Sequence, residues 1–243
     1  MNKLSLGAYA LLTSLLLITI PAKSQSQPES AETTRGLYFG LQVGTALGQC
    51  TFRSLTEHNS RLGFQGGVVA GYHFSRLFSA ETHVTIGGQR QGACDCCPYW
   101  LGCDGSRHAA PVAGLQGAYY RDLTARTLWQ RFALQANFDL LSLLADSRCR
   151  WSVTLSPQLS AVHTDTELKT ADGRFDTPWA DGSQWHLGLG GQLSAGYRIS
   201  RHVEARIYAG LTHLTGSRFD LLPRHGHKSN QLYDLGLRVA YHL

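Results

Sequence analysis

The sequence predicts an all-β fold, an eight-stranded antiparallel up-and-down transmembrane β-barrel. Three observations carry that prediction. Apolar and polar residues alternate with period two through eight segments, the joins between them are strictly short and long in turn, and the chain opens with an export-type leader. Successive side chains of a strand point to opposite faces, so such alternation builds a sheet with one apolar and one polar face.

The first residues, MNKLSLGAYALLTSLLLITIPAKSQ, have the three-part form of a secretory signal. Lys3 supplies the basic start, Leu4 to Ile20 the apolar run, and Ala22 and Ser24 the small residues that export peptidases cut after. Ser5, Gly7, Thr13, Ser14 and Thr19 interrupt the run, which falls short of the ~20 unbroken apolar residues of a spanning helix. The expected organisation is a signal peptide over 1–24, a flexible periplasmic leader over 25–35, and a barrel domain over 36–243. Losing Lys3 and Lys23 lowers the formal charge from +5 to +3. That mild balance, with no basic cluster interleaved by aromatics, argues against a nucleic-acid partner.

Trp185 to Ile199 shows the alternation most clearly. Trp185, Leu187, Leu189, Leu193, Tyr197 and Ile199 fall on one face, with His186, Gln192, Ser194 and Arg198 on the other. Tyr233 to Leu243 and Thr127 to Leu141 repeat it, and weaker copies run through Leu37–Gly48, Gly63–Phe74, Leu77–Gln89, Trp151–Thr164 and Val203–Leu214. The joins at Phe74–Leu77, Leu144–Cys149 and Ile199–Val203 are short. Those at Gly48–Leu62, Arg90–Arg126, Asp165–Gln184 and Thr215–Asn230 are long, so all long loops leave one end. Outer-membrane barrels have this asymmetry, with short periplasmic turns and longer outer loops. An even strand number then places both termini at the periplasmic end.

A soluble secreted barrel holding an apolar ligand also alternates. Which face is inside separates the two. The polar set carries Glu81, Arg131, Asp139, Arg198, Glu204, Arg206, Asp234 and Arg238, four of each sign. Eight strands enclose only enough space for side chains to fill, so these residues are expected to neutralise one another in a closed lumen that leaves no general pore. The apolar set, with Phe39, Phe64, Tyr72, Phe78, Trp151, Trp185, Tyr197, Tyr233 and Tyr241 toward strand ends, suits a lipid-facing belt. Gly-rich runs such as Gly188–Gly191 and Gly66-Gly67 lie inside strands with no helix after them, and so read as relief of crowding rather than phosphate loops.

From Gly36 to Leu243 the chain resembles the small eight-stranded outer-membrane barrels of the OmpA and OmpX type and the PorT-like barrel proteins. The resemblance rests on the leader, the alternation, the loop asymmetry and the last strand, LYDLGLRVAYHL, which ends in Leu243 where the family usually has Phe. It implies a bacterial outer-membrane location, contact with outer-membrane lipid and lipopolysaccharide, recognition of the last strand by the barrel-assembly machinery, and a structural or surface-interaction role through the outer loops. No peptidoglycan-binding domain follows, so tethering is not implied. Some small barrels of this kind are lipid-modifying acyl hydrolases, which makes His163 and His213, with Thr215, candidates for an interfacial site. Ser160 falls on the face opposite His163, and no acid has a clear place to orient either histidine. A non-enzymatic role without a cofactor is the expectation.

Cys94, Cys96, Cys97 and Cys103 crowd the second long loop, with Cys50 at the outer end of the first strand. Thiols of an exported chain tend to pair, and a staple would order a long loop. Their connectivity stays open. Zinc held by four thiolates, with His108 or the His225/His227 pair nearby, is the alternative, although C-x-C-C-x5-C lacks the two C-x2-C pairs of zinc ribbons. Cys149 falls at the periplasmic end and is expected to stay unpaired, leaving an odd number of thiols outside. Pro98-Tyr99-Trp100-Leu101 gives the loop an apolar segment, expected to pack on the barrel rim rather than meet a partner.

Overall fold

The computed structural model describes residues 35–55, 61–92, 98–144, 150–170, 173–174, 181–216, 219, 221–222 and 230–243. The expected signal peptide, nearly all of the expected leader, Cys94, Cys96, Cys97, Cys149, His225 and His227 lie outside the described residues.

Eight long strands close on themselves: β1 (Gly36–Gln49), β2 (Phe64–His73), β3 (Phe78–Gly92), β7 (Leu123–Asp139), β8 (Trp151–Thr170), β10 (Asp181–Arg198), β11 (Val203–Leu214) and β12 (Asn230–His242). Each pairs antiparallel with the next, and β12 closes on β1 with Tyr38 opposite His242 and Gln49 opposite Gln231. Closure leaves no sheet edge with unpaired backbone groups. Four minor strands decorate the long-loop end: β4 (Trp100–Gly102), β5 (Arg107–His108) and β6 (Gly117–Tyr119) form a small sheet in the order β5-β4-β6, and β9 (Gly173–Arg174) pairs with β8.

The short-turn end is built from local polar contacts. The Phe74 amide donates to Phe78 O at 3.1 Å, and the Ile199 amide to Val203 O at 2.9 Å. A single helical turn, Leu140–Leu144, follows β7. Asp139 accepts from the Leu141 amide at 3.0 Å and the Ser142 hydroxyl at 2.9 Å, so its carboxylate is occupied at the turn and does not reach the lumen. Arg198 is exposed beside the next turn and does not reach it either. Parity put both on the polar face; being the last residues of their strands, they face the turns and solvent instead.

Three strands run four or more residues further than the alternation suggested. β7 starts at Leu123 instead of Thr127, β8 reaches Thr170 instead of Thr164, and β10 starts at Asp181 instead of Trp185. In the extensions the polarity of the inward face inverts: Leu123, Ala125 and Leu168 are buried there. The period of two persists while its sense changes, because these residues cover an apolar cap rather than a polar lumen.

In the barrel proper the apolar set points out. Leu41, Phe64, Ile86, Leu134, Trp185 and Leu237 are each more than half exposed, whereas Gln42, Gln65, Thr85, Gln135, Gln192 and Arg238 are buried inside. The cramped interior also explains three inward glycines. Gly71 lies opposite Tyr38, Gly87 opposite Trp129 and Gly236 opposite Tyr208, and a side chain at each would collide with the facing ring. An aromatic ring folded over a cross-strand glycine fills the lumen where two large side chains would not fit.

Candidate functional site

The interior is layered along its axis. Nearest the short turns, Arg206 Nε donates to Glu204 Oε1 at 2.8 Å and Nη2 to Oε2 at 3.3 Å, a two-pronged pair, with His242 Nε2 3.3 Å from the same carboxylate. The Tyr38, His73 and His242 rings cluster beside it at 4.7 to 5.4 Å between centroids, with His73 and His242 stacked and Tyr38 tilted against both. Above this, Glu81 accepts from Arg238 at 2.5 Å, from Tyr38 at 2.8 Å and from Asn137 at 3.4 Å, while Arg238 also donates to Gln42 at 2.9 Å. Arg131 pairs with Asp234 at 2.5 Å, its guanidinium 5.3 Å from the Trp129 ring. Three acids and three arginines thus pair off inside the barrel, all of them buried. This neutrality matters, because an uncompensated buried charge is strongly destabilising. Six of the eight predicted lumen charges meet here. Tyr38, Gln42, Asn137 and Gln192 complete the network; they lie on the inward parity of their strands, the signal that would have found them.

Beyond Trp129 an apolar cluster enters the lumen beside buried Gln89, Gln91, Thr127 and Thr166. Ala46, Cys50, Trp129, Val162, Leu214, Phe219 and Leu232 pack across the bore. Cys50 is buried in this layer and Gln91 Nε2 donates to its Sγ at 3.2 Å. A second cluster caps it: Phe52 from the first long loop, Leu101 and Tyr120 from the second, Leu123 and Ala125 of β7, Leu168 of β8, and Leu221 and Leu222 from the fourth. Phe52 meets Tyr120 edge-on at 5.8 Å, the geometry aromatic pairs prefer. Leu221 takes a left-handed φ of 60° and lies against Gly182, where an added Cβ would stand 2.7 Å from it. Trp100 and Leu101 are buried, at 4% and 0% exposure, so the apolar segment of the second loop packs inward. Periodicity alone does not reveal this cap, since Phe52, Leu101, Tyr120, Leu221 and Leu222 come from outside the long strands and Leu123, Ala125 and Leu168 keep the period with the opposite polarity.

On the second loop, Asp104 accepts from the Ser106 hydroxyl at 2.5 Å and the Ser106 amide at 2.9 Å, and Ser106 Oγ is 2.6 Å from His108 Nε2. Those two donors hold the exposed Asp104 carboxyl below the usual carboxylate range. Cys103 is half-buried next to it, its amide donating to Gln116 O at 2.8 Å.

The candidate hydrolytic residues do not converge on one site. His213 is exposed on β11; Thr215 is bound to the Leu187 backbone, donating to its carbonyl at 2.9 Å and accepting from its amide at 3.1 Å. Ser160 is buried on the inner face. His163 meets Ser183 instead, Nε2 to Oγ 2.7 Å, with its ring 4.8 Å from that of Trp185. The structure brings together a histidine and a serine that parity arguments within one strand had not joined, because the partner sits across the β8–β10 ladder.

The eight strands thus make a closed, antiparallel, up-and-down barrel, apolar outside and charge-paired inside. This is the architecture of the small eight-stranded outer-membrane barrels. The chain is similar to the crystal structure of Neisserial surface protein A, with 13% identity, a TM-score of 0.47, and coverage of 86% of this chain and 97% of that one. It is similar to Ail, the attachment invasion locus protein of Yersinia pestis, at 9% identity and a TM-score of 0.44, covering 86% and 100%. A major outer membrane protein from Thermus thermophilus is likewise similar, at 12% identity and a TM-score of 0.47, covering 85% and 99%. These likenesses concern the fold. No family model and no curated protein matches the chain.

Proposed function

We propose that this chain is an integral outer-membrane protein whose sealed barrel carries an ordered outer head, serving a structural or surface-interaction role rather than acting as a pore or an enzyme. The observation that supports it most is the inverted distribution of polarity: charges paired within, apolar side chains exposed without. A soluble barrel with that exterior would leave a contiguous apolar belt in water, far beyond the patches soluble monomers expose. In this reading the short turns and both termini are periplasmic, the barrel-assembly machinery recognises β12, and the long loops face outward to surface partners. The apolar layer and cap over a filled lumen support the absence of conduction. The purified chain should insert into phosphatidylcholine vesicles, show the heat-dependent gel mobility of a folded barrel, and give no steady conductance across a planar bilayer. A chain that stays in solution without detergent, or that conducts steadily, would refute the reading.

The His163–Ser183 contact favours one second reading, an interfacial acyl hydrolase with Ser183 as nucleophile and His163 as base. Release of fatty acid from phospholipid by the reconstituted barrel, abolished in Ser183→Ala, would establish it and overturn the non-enzymatic assignment.

A further inference from the structure

Between β5 and β6 the second long loop runs through Ala109-Ala110-Pro111-Val112-Ala113-Gly114, six consecutive exposed residues without a charge. Neither the lumen network nor the cap uses them. Both ends of this excursion are held by β4. Before it, Trp100 pairs with His108 and Leu101 with Arg107. After it, Trp100 pairs with Tyr119 and Gly102 with Gly117. The Cys103 amide donates to Gln116 O at 2.8 Å. Leu115 lies over Gly102, where an added Cβ would stand 2.6 Å from Leu115 Cδ2.

Between these anchors the backbone is open. Among the described residues, no amide from Ala109 to Gly114 donates a hydrogen bond. The Val112 carbonyl accepts from the Leu115 amide at 3.2 Å, across a turn whose third residue, Gly114, has φ of 80°. That positive φ is the one a type II turn asks of a glycine. Pro111 fixes its own φ and drives Ala110 toward extended backbone. The Val112 side chain stands out, with the residue 40% exposed. Exposed loop tips of small residues are preferred sites of proteolytic nicking, and the residue types in this one select the kind of protease.

We propose that the Val112–Ala113 bond is a processing site for a serine protease with a small, uncharged specificity pocket, an elastase-type enzyme. The proposal rests on the outer-membrane reading for the loop's outward position. Such proteases hold their substrate as an added antiparallel strand, in which alternate residues pair through the backbone. With Val112 in the specificity pocket, Ala110 and Val112 are the pairing residues. Pro111 then falls between them, where no N–H is required. A small pocket of this kind admits valine, whereas aromatic and long basic side chains need the larger pockets of chymotrypsin and trypsin. The protease serine oxygen attacks the Val112 carbonyl carbon while the protease histidine takes the hydroxyl proton. The C–N bond breaks, the Ala113 nitrogen leaves with that proton, and Val112 remains as an ester on the serine. Water hydrolyses the ester to a Val112 carboxylate and frees the protease. The cut chain stays together, because β4 pairs with β5 on one side of the cut and with β6 on the other, and β3 pairs with β7 below them.

The test uses the full barrel in phosphatidylcholine nanodiscs, with insertion first verified by heat-dependent gel mobility. Neutrophil elastase is then added, and the products are read by mass spectrometry after heat denaturation. The first cut should give a C-terminal fragment beginning Ala113-Gly114-Leu115-Gln116, while the unheated sample keeps its folded mobility. Val112→Glu, at an exposed position, should slow that cut by about tenfold or more, the scale of a misfitted specificity pocket. Val112→Phe should resist elastase and be cut after residue 112 by chymotrypsin. Trypsin should leave the parent loop intact, since Arg107 lies in β5 and Arg121 in the helical turn Tyr120–Asp122. A first elastase cut elsewhere, or Val112→Glu cut within about twofold of the parent rate, overturns the proposal. So does Val112→Phe left whole at residue 112 by chymotrypsin, or trypsin cutting the loop as fast as elastase does. Each of these leaves the membrane reading intact. Failure of the parent chain to insert overturns both.

Discussion

Replacing Arg238 by Met isolates the central lumen pair. Arg238 and Glu81 are each 3% exposed. The guanidinium donates to Glu81 at 2.5 Å, to Gln42 at 2.9 Å and to Gln192 at 3.5 Å, and Met supplies none of these bonds. Glu81 keeps Tyr38 at 2.8 Å and Asn137 at 3.4 Å, two neutral donors for a full negative charge that water cannot reach. Removing one partner of a buried pair costs about 3–5 kcal/mol. The volume is nearly conserved by Met, so little of that loss is a cavity. Urea unfolding of the barrel in phosphatidylcholine vesicles, followed by tryptophan fluorescence, gives the difference. Glu81→Gln in the Arg238→Met background removes the stranded charge and should recover about half of the loss or more, with a coupling of about 2–3 kcal/mol in the double-mutant cycle. If Arg238→Met unfolds within about 1 kcal/mol of the parent, or if the two changes add, the lumen is hydrated enough to screen its charges and the reasoning fails.

Three further outcomes follow from separate parts of the molecule. Gly87→Ala places a Cβ against the Trp129 ring and should lose about 1–3 kcal/mol by overpacking, with a change in tryptophan emission; an unchanged spectrum and midpoint would show that the ring has room to move. Leu101→Asp puts a charge into the apolar cap, so the second long loop should become sensitive to added protease while the barrel keeps its folded gel mobility; equal cleavage of parent and variant would count against a packed cap. Asp104 is held ionised by Ser106, so its hydrogen bonds persist above its lowered pKa and weaken as pH falls through it. Ser106→Ala should therefore move the Asp104 carboxyl titration, read by NMR, upward toward the ordinary carboxylate range, and no shift would mean the turn does not persist in solution.

Much of the fold was legible because a barrel writes itself in local pattern. Period two assigns each side chain to a face, and the strict alternation of short and long joins assigns each loop to an end. Neither needs knowledge of distant contacts. The eight strands, the inward Glu81, Arg131, Glu204, Arg206, Asp234 and Arg238, and the outward aromatics followed from that alone. What parity cannot know is where a strand stops facing the lumen. Asp139 and Arg198 obey the alternation yet face turns and solvent, because they end their strands, and Leu123, Ala125 and Leu168 extend it with the opposite polarity.

Partners were decided by the tertiary structure. Whether Arg238 bonds Glu81, 157 residues away, depends on closure and register, which bring β12 and β3 to face each other across the bore. The cap joins Phe52, Leu101, Tyr120 and Leu222 from three long loops to Leu168 of β8, and the loop segments carry no repeat that announces it. The same holds for His163 with Ser183. Local sequence determines which way a side chain points, because backbone geometry alternates with the residue number. What it meets is determined by loop closure and strand register, which are properties of the whole chain.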